Sequence, residues 1–176
     1  MNTFVVVSAV GKDRPGLVNK ISHEIKINGG NIELQRSARM ADEFAIISLV
    51  SLESAVEPFI NKLTALRDEN FFIYAREALT GTGELQAGER KAEIIAEGAD
   101  QMGIIDNLTL LLVENNINIE SMDYDVIHAP MSGAPLFQMQ AKVVIPASVD
   151  INDFKKQLRE KEQDLYIDVL FRYPVE

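Results

Sequence analysis

Apolar residues recur along the chain either at helical spacing or in short compact runs, and the two patterns alternate. In the first half, the pattern predicts strands over 4–10, 32–40, 43–52 and 71–78 and helices over 15–28 and 55–68. Leu17, Ile21 and Ile25 form the apolar stripe of the first helix. Glycines at 29 and 30 end that helix, and Ala41-Asp42 reads as the turn of a hairpin.

The second half repeats the first. Gly98 lies 87 residues after Gly11 in a similar eight-residue segment, and Asn118-Ile119-Glu120 follows Asn31-Ile32-Glu33 at the same distance. A repeat of this length indicates one structural unit used twice. Further along, the second copy carries about six extra residues within 128–135, which are rich in turn formers and predict an extended hairpin loop.

Each copy therefore has the order β-α-β-β-α-β. The second-copy elements are strands over 92–97, 119–127, 136–145 and 165–172 and helices over 104–115 and 151–161. This order predicts an α+β fold of two tandem ferredoxin-like modules, each an antiparallel four-stranded sheet with its helices on one face. We expect domains at 1–79 and 92–176, joined by a polar, glycine-containing linker over 80–91.

The strand after Asn118 breaks the repeat in one respect. Met122, Tyr124 and Val126 stand on the opposite parity to Ile119, whereas the first copy alternates evenly. Because side chains alternate between the two faces of a strand, this change predicts either a β-bulge or a register difference in the second copy.

Composition and charge exclude several functions. The 176 residues contain no cysteine and carry a formal net charge of -10, which would repel a nucleic-acid backbone. No segment has the length of apolar residues that spans a bilayer, and the amino terminus has no basic segment before its apolar stretch. We expect a cytoplasmic protein that binds neither membrane nor nucleic acid directly.

Catalytic and metal-binding patterns are missing from the sequence. His23 falls within a helix and His128 within a loop, with no second ligand at metal spacing and no nucleophile in a recognisable setting. We therefore predict no catalytic residue, no metal site, no cofactor and no enzymatic activity.

The loop between the first strand and the first helix is the candidate ligand site in both copies. Its glycines allow close approach of a ligand, and N–H groups at a helix start can hold a carboxylate. Asn31 and Asn118 can both donate and accept hydrogen bonds, which suits an amino acid. The alternative is structural: Asp13 and Asp100 cap helices, and the glycines and asparagines serve packing and turns. The sequence leaves both interpretations open.

These residues resemble a known family. Segments 7–18 (VSAVGKDRPGLV), 29–33 (GGNIE) and 42–46 (DEFAI) are similar to the tandem ACT-domain proteins, in particular the family of the glycine cleavage system transcriptional repressors. That resemblance implies amino-acid binding between the loop of one module and the Asn-Ile strand of a neighbour. The implied ligand-binding residues are Gly11, Asp13, Gly16, Leu17, Asn31, Gly98, Asp100, Gly103, Ile104 and Asn118. The second loop departs from the pattern, with Gln101-Met102 in place of Arg14-Pro15.

The resemblance also implies a regulator of amino-acid metabolism, glycine metabolism in particular. It implies a small amino-acid ligand, a protein partner such as a DNA-binding regulator, and a homo-oligomer. The alternative hypothesis is an interaction or oligomerisation module whose ligand site is vestigial, as the altered second loop suggests.

Overall fold

The chain folds as two compact units, Met1–Glu84 and Leu85–Glu176. The structure is a computed structural model that describes residues 3–78, 85–130 and 132–173. The division falls within the segment predicted as a linker. The domain boundaries stay a prediction, because residues 79–84 lie outside the described part of the chain, as does residue 131 of the predicted hairpin loop.

The first unit has the predicted element order. Its elements are β1 (Thr3–Lys12), α1 (Leu17–Ile27), β2 (Gly30–Met40), β3 (Glu43–Leu52), α2 (Val56–Thr64) and β4 (Phe71–Glu77). The strands form an antiparallel sheet in the order β2-β3-β1-β4. Alternate residues of β1 are buried at Val5, Val7 and Ala9, and the α1 stripe at Leu17, Ile21 and Ile25 is buried with them.

The second unit repeats this arrangement. Its elements are β5 (Arg90–Ala99), α3 (Ile104–Glu114), β6 (Asn118–His128), β7 (Pro135–Ile145), α4 (Ile151–Leu165) and β8 (Ile167–Arg172). The sheet order is β6-β7-β5-β8, the same as in the first unit with four added to each number. The predicted α+β class, with two ferredoxin-like modules, is confirmed.

Helix ends differ from the predictions for local reasons. α1 begins two residues later than predicted because Gly16 has a φ of 94°, outside the helical region. α2 ends at Thr64, not at residue 68, because the backbones of Asp68 and Phe71 bond to each other and close a tight turn. α4 continues to Leu165, which packs against the core, and ends where Tyr166 takes a φ of 51°.

The predicted bulge is present, but it belongs to both units. Pairing with the neighbouring strand shifts between Ile119 and Ser121 in the second unit and between Ile32 and Leu34 in the first. The extra residues, Glu33 and Glu120, occupy matching positions. Confining the bulge to the second copy was wrong. Leu34 keeps the sequence parity of Ile32 although the bulge turns it to the other face, so the alternation in the first copy looks unbroken.

Candidate functional site

The loop between β1 and α1 turns into the helix at a glycine. Gly16 is the N-cap of α1 in a left-handed conformation, and no side chain caps the helix; Gly103 is the N-cap of α3 with a φ of 91°, again without a side-chain cap. A Cβ atom on Gly16 would meet nothing within 4 Å, so the backbone conformation and not packing requires glycine here. The interpretation that Asp13 and Asp100 cap the helices was wrong.

Ion pairs fix the first-unit loop on both sides. The Asp13 carboxylate lies 3.0 Å from Nε of Arg39, and the Asp13 N–H donates to the Asp42 carbonyl at 2.7 Å. On the other side, the Arg14 guanidinium donates to the Asp68 carboxylate at 2.9 Å. This bond, followed by one from the Asn70 N–H, lowers the pKa of Asp68 below its ordinary value. Arg14 therefore holds the loop against the turn that precedes β4.

An open groove of about 510 Å³ lies over the start of α1. It is lined by Asp13, Arg14, Gly16, Leu17, Val18, Asn19, Ser22 and Phe44. Its lining combines a carboxylate, apolar side chains and polar side chains with the uncapped first turn of a helix. The volume is in the range of small-molecule sites in proteins.

The groups around the groove match the two charges of an amino acid. The first N–H groups of a helix have no partner within the helix, and the helix dipole favours a negative charge beside them. The first turn of α1 contains no acidic residue to compete with a bound carboxylate. Asp13 supplies the opposite charge for an ammonium group, and Leu17, Val18 and Phe44 supply apolar contact.

Two of the candidate glycines serve packing between strands. A Cβ on Gly11 would lie 2.2 Å from the Asn70 carbonyl oxygen, and a Cβ on Gly98 would lie 2.8 Å from Cγ2 of Ile167. Both glycines face the helices, where β1 meets β4 and β5 meets β8. Gly11 and Gly98 thus let a neighbouring strand approach closely, and neither lines the groove.

The structure does not bring the asparagines to the loop of their own unit. Asn31 pairs with Ser51 near the end of β3, whereas the loop adjoins Glu43 at its start. Eight residues of strand separate these points by about 26 Å. Asn31 is exposed and donates to Glu33 at 2.9 Å. Asn118 occupies the matching position opposite Val144 and is also exposed.

The second-unit loop keeps the backbone shape but changes the chemistry. Gln101 donates to the Leu165 carbonyl, which fixes the loop much as Arg14 does in the first unit, and Met102 is fully exposed. Asp100 donates its N–H to the Pro135 carbonyl at 3.2 Å. Ile104 is buried at the first position of α3, as Leu17 is in α1.

The first turn of α3 also carries an acid. Asp106 stands there, at the position that Asn19 occupies in α1. A carboxylate at this position already satisfies the helix dipole and would repel a second carboxylate. The two loops therefore differ in their capacity to bind an anion.

The predicted site did not include Arg14, Val18, Asn19, Ser22 and Phe44, which also line the groove. Asn19 and Ser22 stand on the polar face of α1, one helical turn apart, and this spacing was the available signal. Phe44 pairs with Gly11 across the sheet, so its place depends on the register between β1 and β3.

Among the described residues no helix is both long and apolar enough to cross a membrane. The same residues contain no group of three or more His, Cys, Asp or Glu placed to hold a metal ion.

Residues 3–70 match the family model described as the ACT domain. This match runs through the first unit from β1 to the turn before β4. Over 156 residues the chain is 24% identical to the glycine cleavage system transcriptional repressors of Escherichia coli (strain K12) and Shigella flexneri. The alignment covers 89% of this chain and 82% of each repressor. The sequence resemblance to this family is thereby confirmed.

Solved structures extend the likeness to the whole chain. A crystal structure of an unknown protein from Galdieria sulphuraria matches with a TM-score of 0.87 and 29% identity, covering 99% of this chain and all of that one. A crystal structure provisionally named as a glycine cleavage system transcriptional repressor matches with a TM-score of 0.68, 17% identity and full coverage of this chain. The chain thus has the fold of these proteins over both of its units.

Proposed function

We propose that the chain is a regulatory protein that binds a small free amino acid in the groove of its first unit. The observation that carries the proposal is the pairing of an uncapped, acid-free helix start with the Asp13 carboxylate across one groove. The helix start binds the α-carboxylate, and Asp13 binds the ammonium group in exchange for part of its contact with Arg39. The apolar groove residues limit the size of the ligand side chain.

The names of the similar repressors support a regulatory role and suggest that the regulated process is glycine metabolism. In this proposal the protein acts through a protein partner, such as a DNA-binding regulator, because its net charge of -10 opposes direct contact with DNA. We keep the cytoplasm as the expected location. Regulation requires that the amino acid bind the partner-bound and free states with different affinities.

We further propose that the protein has no enzymatic activity and needs no cofactor. His23 and His128 are exposed and stand in different units, and neither lines the groove. The groove residues provide charge and shape for binding but no nucleophile with an adjacent base. Turnover of an amino acid by the purified protein would contradict this part of the proposal.

We propose that Asn31 contacts a ligand bound to another module and not one bound to its own. Its distance from the loop of its own unit prevents a shared contact with one small ligand. An exposed asparagine at the start of an edge strand can complete a groove that belongs to a neighbouring copy. Asn118 has the corresponding role for the second unit if that unit binds a ligand.

The experiment that tests the site exchanges one charge between the two units. Asn19→Asp gives α1 the acid that α3 carries, and Asp106→Asn removes the acid from α3. A like charge about 5 Å from a bound carboxylate costs about 3 kcal/mol at an effective dielectric constant of 20, and solvent screening lowers this at an exposed site. We expect Asn19→Asp to weaken amino-acid binding roughly 10- to 100-fold in calorimetric titrations.

Asp106→Asn is the matched control, and it should leave the affinity of the first-unit site unchanged. Both positions are exposed, so each substitution should change folding stability by no more than the helix-dipole contribution of one acid, about 1 kcal/mol at most. The probes are the common free amino acids, beginning with glycine. Equal affinities of Asn19→Asp and the unmodified chain would show that the ligand carboxylate does not lie at the start of α1.

The second candidate function is an interaction module without a sensor role. The observation that favours it is the second-unit loop, where Asp106 and Gln101 change the groups that would contact an amino acid. If no amino acid binds at millimolar concentration while partner binding persists, this function replaces the first.

A further inference from the structure

The sheet of the first unit has a helix-free surface that is largely apolar. This open face comprises the residues of the four strands that point away from α1 and α2. Its exposed apolar members are Val10, Leu34, Met40, Ile47, Phe72 and Tyr74. Phe72 and Tyr74 are 63% and 62% exposed, so these rings contact mainly solvent. A contiguous exposed apolar surface on a soluble domain usually marks a contact with another molecule.

The second unit shows that the fold does not need an apolar open face. At the positions that match Val10, Ile47 and Phe72, it has Glu97, Gln140 and Asp168, respectively. A polar network also crosses this face, because Glu93 accepts hydrogen bonds from Gln140 and Arg172. These two bonds lower the pKa of Glu93 and keep its carboxylate charged. The open face of the second unit is therefore more polar than that of the first at these positions, although it keeps the apolar residues Ile95 and Leu170.

The register of the first sheet arranges its open face in rows across the strands. One row runs Tyr74, Ser8, Ile47, Arg36 from β4 to β2, and the next runs Phe72, Val10, Ala45, Ala38. Tyr74 and Arg36 therefore stand at opposite ends of one row. Three strand spacings, about 14 Å, separate them, so they cannot touch within one chain.

Two such faces complement each other around a two-fold axis that lies between them, parallel to the strands. This operation places β4 of one copy over β2 of the other, and β1 over β3. Each Tyr74 ring then meets the Arg36 guanidinium of the other copy, which is a favourable cation–π contact. It also places Lys12 over Glu43 of the other copy, because these residues share the row at the end of β1 and the start of β3.

A second ion pair forms at the opposite end. Arg76 shares its row with Leu34, next to Glu33 at the bulge of β2. Glu33 accepts hydrogen bonds from Ser51 and Asn31, and these bonds lower its pKa. The same two-fold axis brings Arg76 of one copy to Glu33 of the other. A face that matches itself in charge as well as in apolar surface fits an isologous interface.

The size of the face is sufficient for such an interface. Four strands spaced about 4.8 Å apart and seven residues of about 3.3 Å each give a flat area of about 440 Å². Side chains corrugate this surface and raise its accessible area. Two copies then bury about 1,000 Å² in total, the lower limit for a specific protein interface.

We propose that the chain forms a homodimer through the open face of its first unit, with the two sheets packed face to face. The partner is a second copy of this chain, because the face is complementary to itself. The proposal does not depend on amino-acid binding, and the groove at the start of α1 lies on the opposite side of the sheet.

The first test measures the mass of the full chain in solution by light scattering and sedimentation, from about 1 µM to about 100 µM. We expect a dimer for the unmodified chain and a monomer for Phe72→Asp, which takes the residue that the second unit has at this position. Leu170→Asp is the matched control on the open face of the second unit, and it should remain a dimer. Because Phe72 and Leu170 are exposed, both variants should fold, which circular dichroism checks.

A double-mutant cycle tests the geometry. Tyr74→Ala and Arg36→Ala should each weaken dimerisation about 5- to 30-fold, and combining them should weaken it little further, because either change removes the same two contacts. A monomer across the whole concentration range would overturn the proposal. So would a dimer that survives Phe72→Asp, or fully multiplicative effects of Tyr74→Ala and Arg36→Ala.

Discussion

Gly11→Ala should destabilise the first unit more than any substitution in the loop that follows it. The added Cβ would lie 2.2 Å from the Asn70 carbonyl oxygen and 2.8 Å from Cα of Phe71. Both are backbone atoms, so no side chain can turn away to make room. The same carbonyl accepts the Lys12 N–H at 3.1 Å, and moving it breaks that hydrogen bond.

The magnitude follows from these two effects. Overpacking a well-packed site costs about 1–3 kcal/mol. Loss of a backbone hydrogen bond adds about 1 kcal/mol. We therefore expect Gly11→Ala to lower the free energy of unfolding of the first unit by about 2–4 kcal/mol. For a unit of this size each kcal/mol lowers the melting temperature by about 4–8 °C.

Urea unfolding of the full chain, followed by circular dichroism, measures this loss. Amide exchange read by mass spectrometry assigns it to β1 and β4. Gly98→Ala is the matched control: its added Cβ would lie 2.8 Å from Cγ2 and 3.1 Å from Cα of Ile167, a less severe approach than at Gly11, so its loss should be smaller. A Gly11→Ala variant as stable as the unmodified chain would refute the close approach of β4 to β1.

Two further predictions concern the loop. Gly16→Ala and Gly103→Ala should each cost about 1–2 kcal/mol, since both positions have a φ near 90°. In thermal unfolding, however, only Gly16→Ala should reduce stabilisation by an amino acid; equal losses in both variants would contradict this. The second prediction concerns pH. Because Arg14 lowers the pKa of Asp68 below its ordinary value of 3.8, the bond between Arg14 and Asp68 stabilises the fold at pH values above 3.8. This contribution is lost as pH falls through the lowered pKa, so in acid unfolding curves the stability difference between Arg14→Gln and the unmodified chain should disappear once Asp68 is protonated.

The sequence predicted the architecture well because helical stripes and apolar runs report directly on burial. Leu17, Ile21 and Ile25 were expected on one helix face, and all three are buried. The end of α2 could not be predicted in this way, since it depends on backbone bonds between Asp68 and Phe71. The face on which the polar residues of β2 lie after the bulge likewise could not be predicted, because polar residues occur on either face of an edge strand.

The candidate site was predicted less completely. The loop motif located Asp13, Gly16 and Leu17, which line the groove. It could not separate these residues from Gly11, whose role depends on the approach of a strand about 60 residues later in the chain. Phe44 was missed because the groove exists only once β3 has paired with β1.

The central claim is that the start of α1 binds the carboxylate of an amino acid. Nuclear magnetic resonance of the ¹⁵N-labelled full chain, titrated with glycine and then with the other common amino acids, tests it most directly. The account predicts that the amide signals of residues 17–19 shift and saturate with one of these ligands, whereas those of residues 104–106 stay in place. Saturable shifts confined to the second unit, or no saturable shift at millimolar concentrations of any amino acid, would contradict the claim.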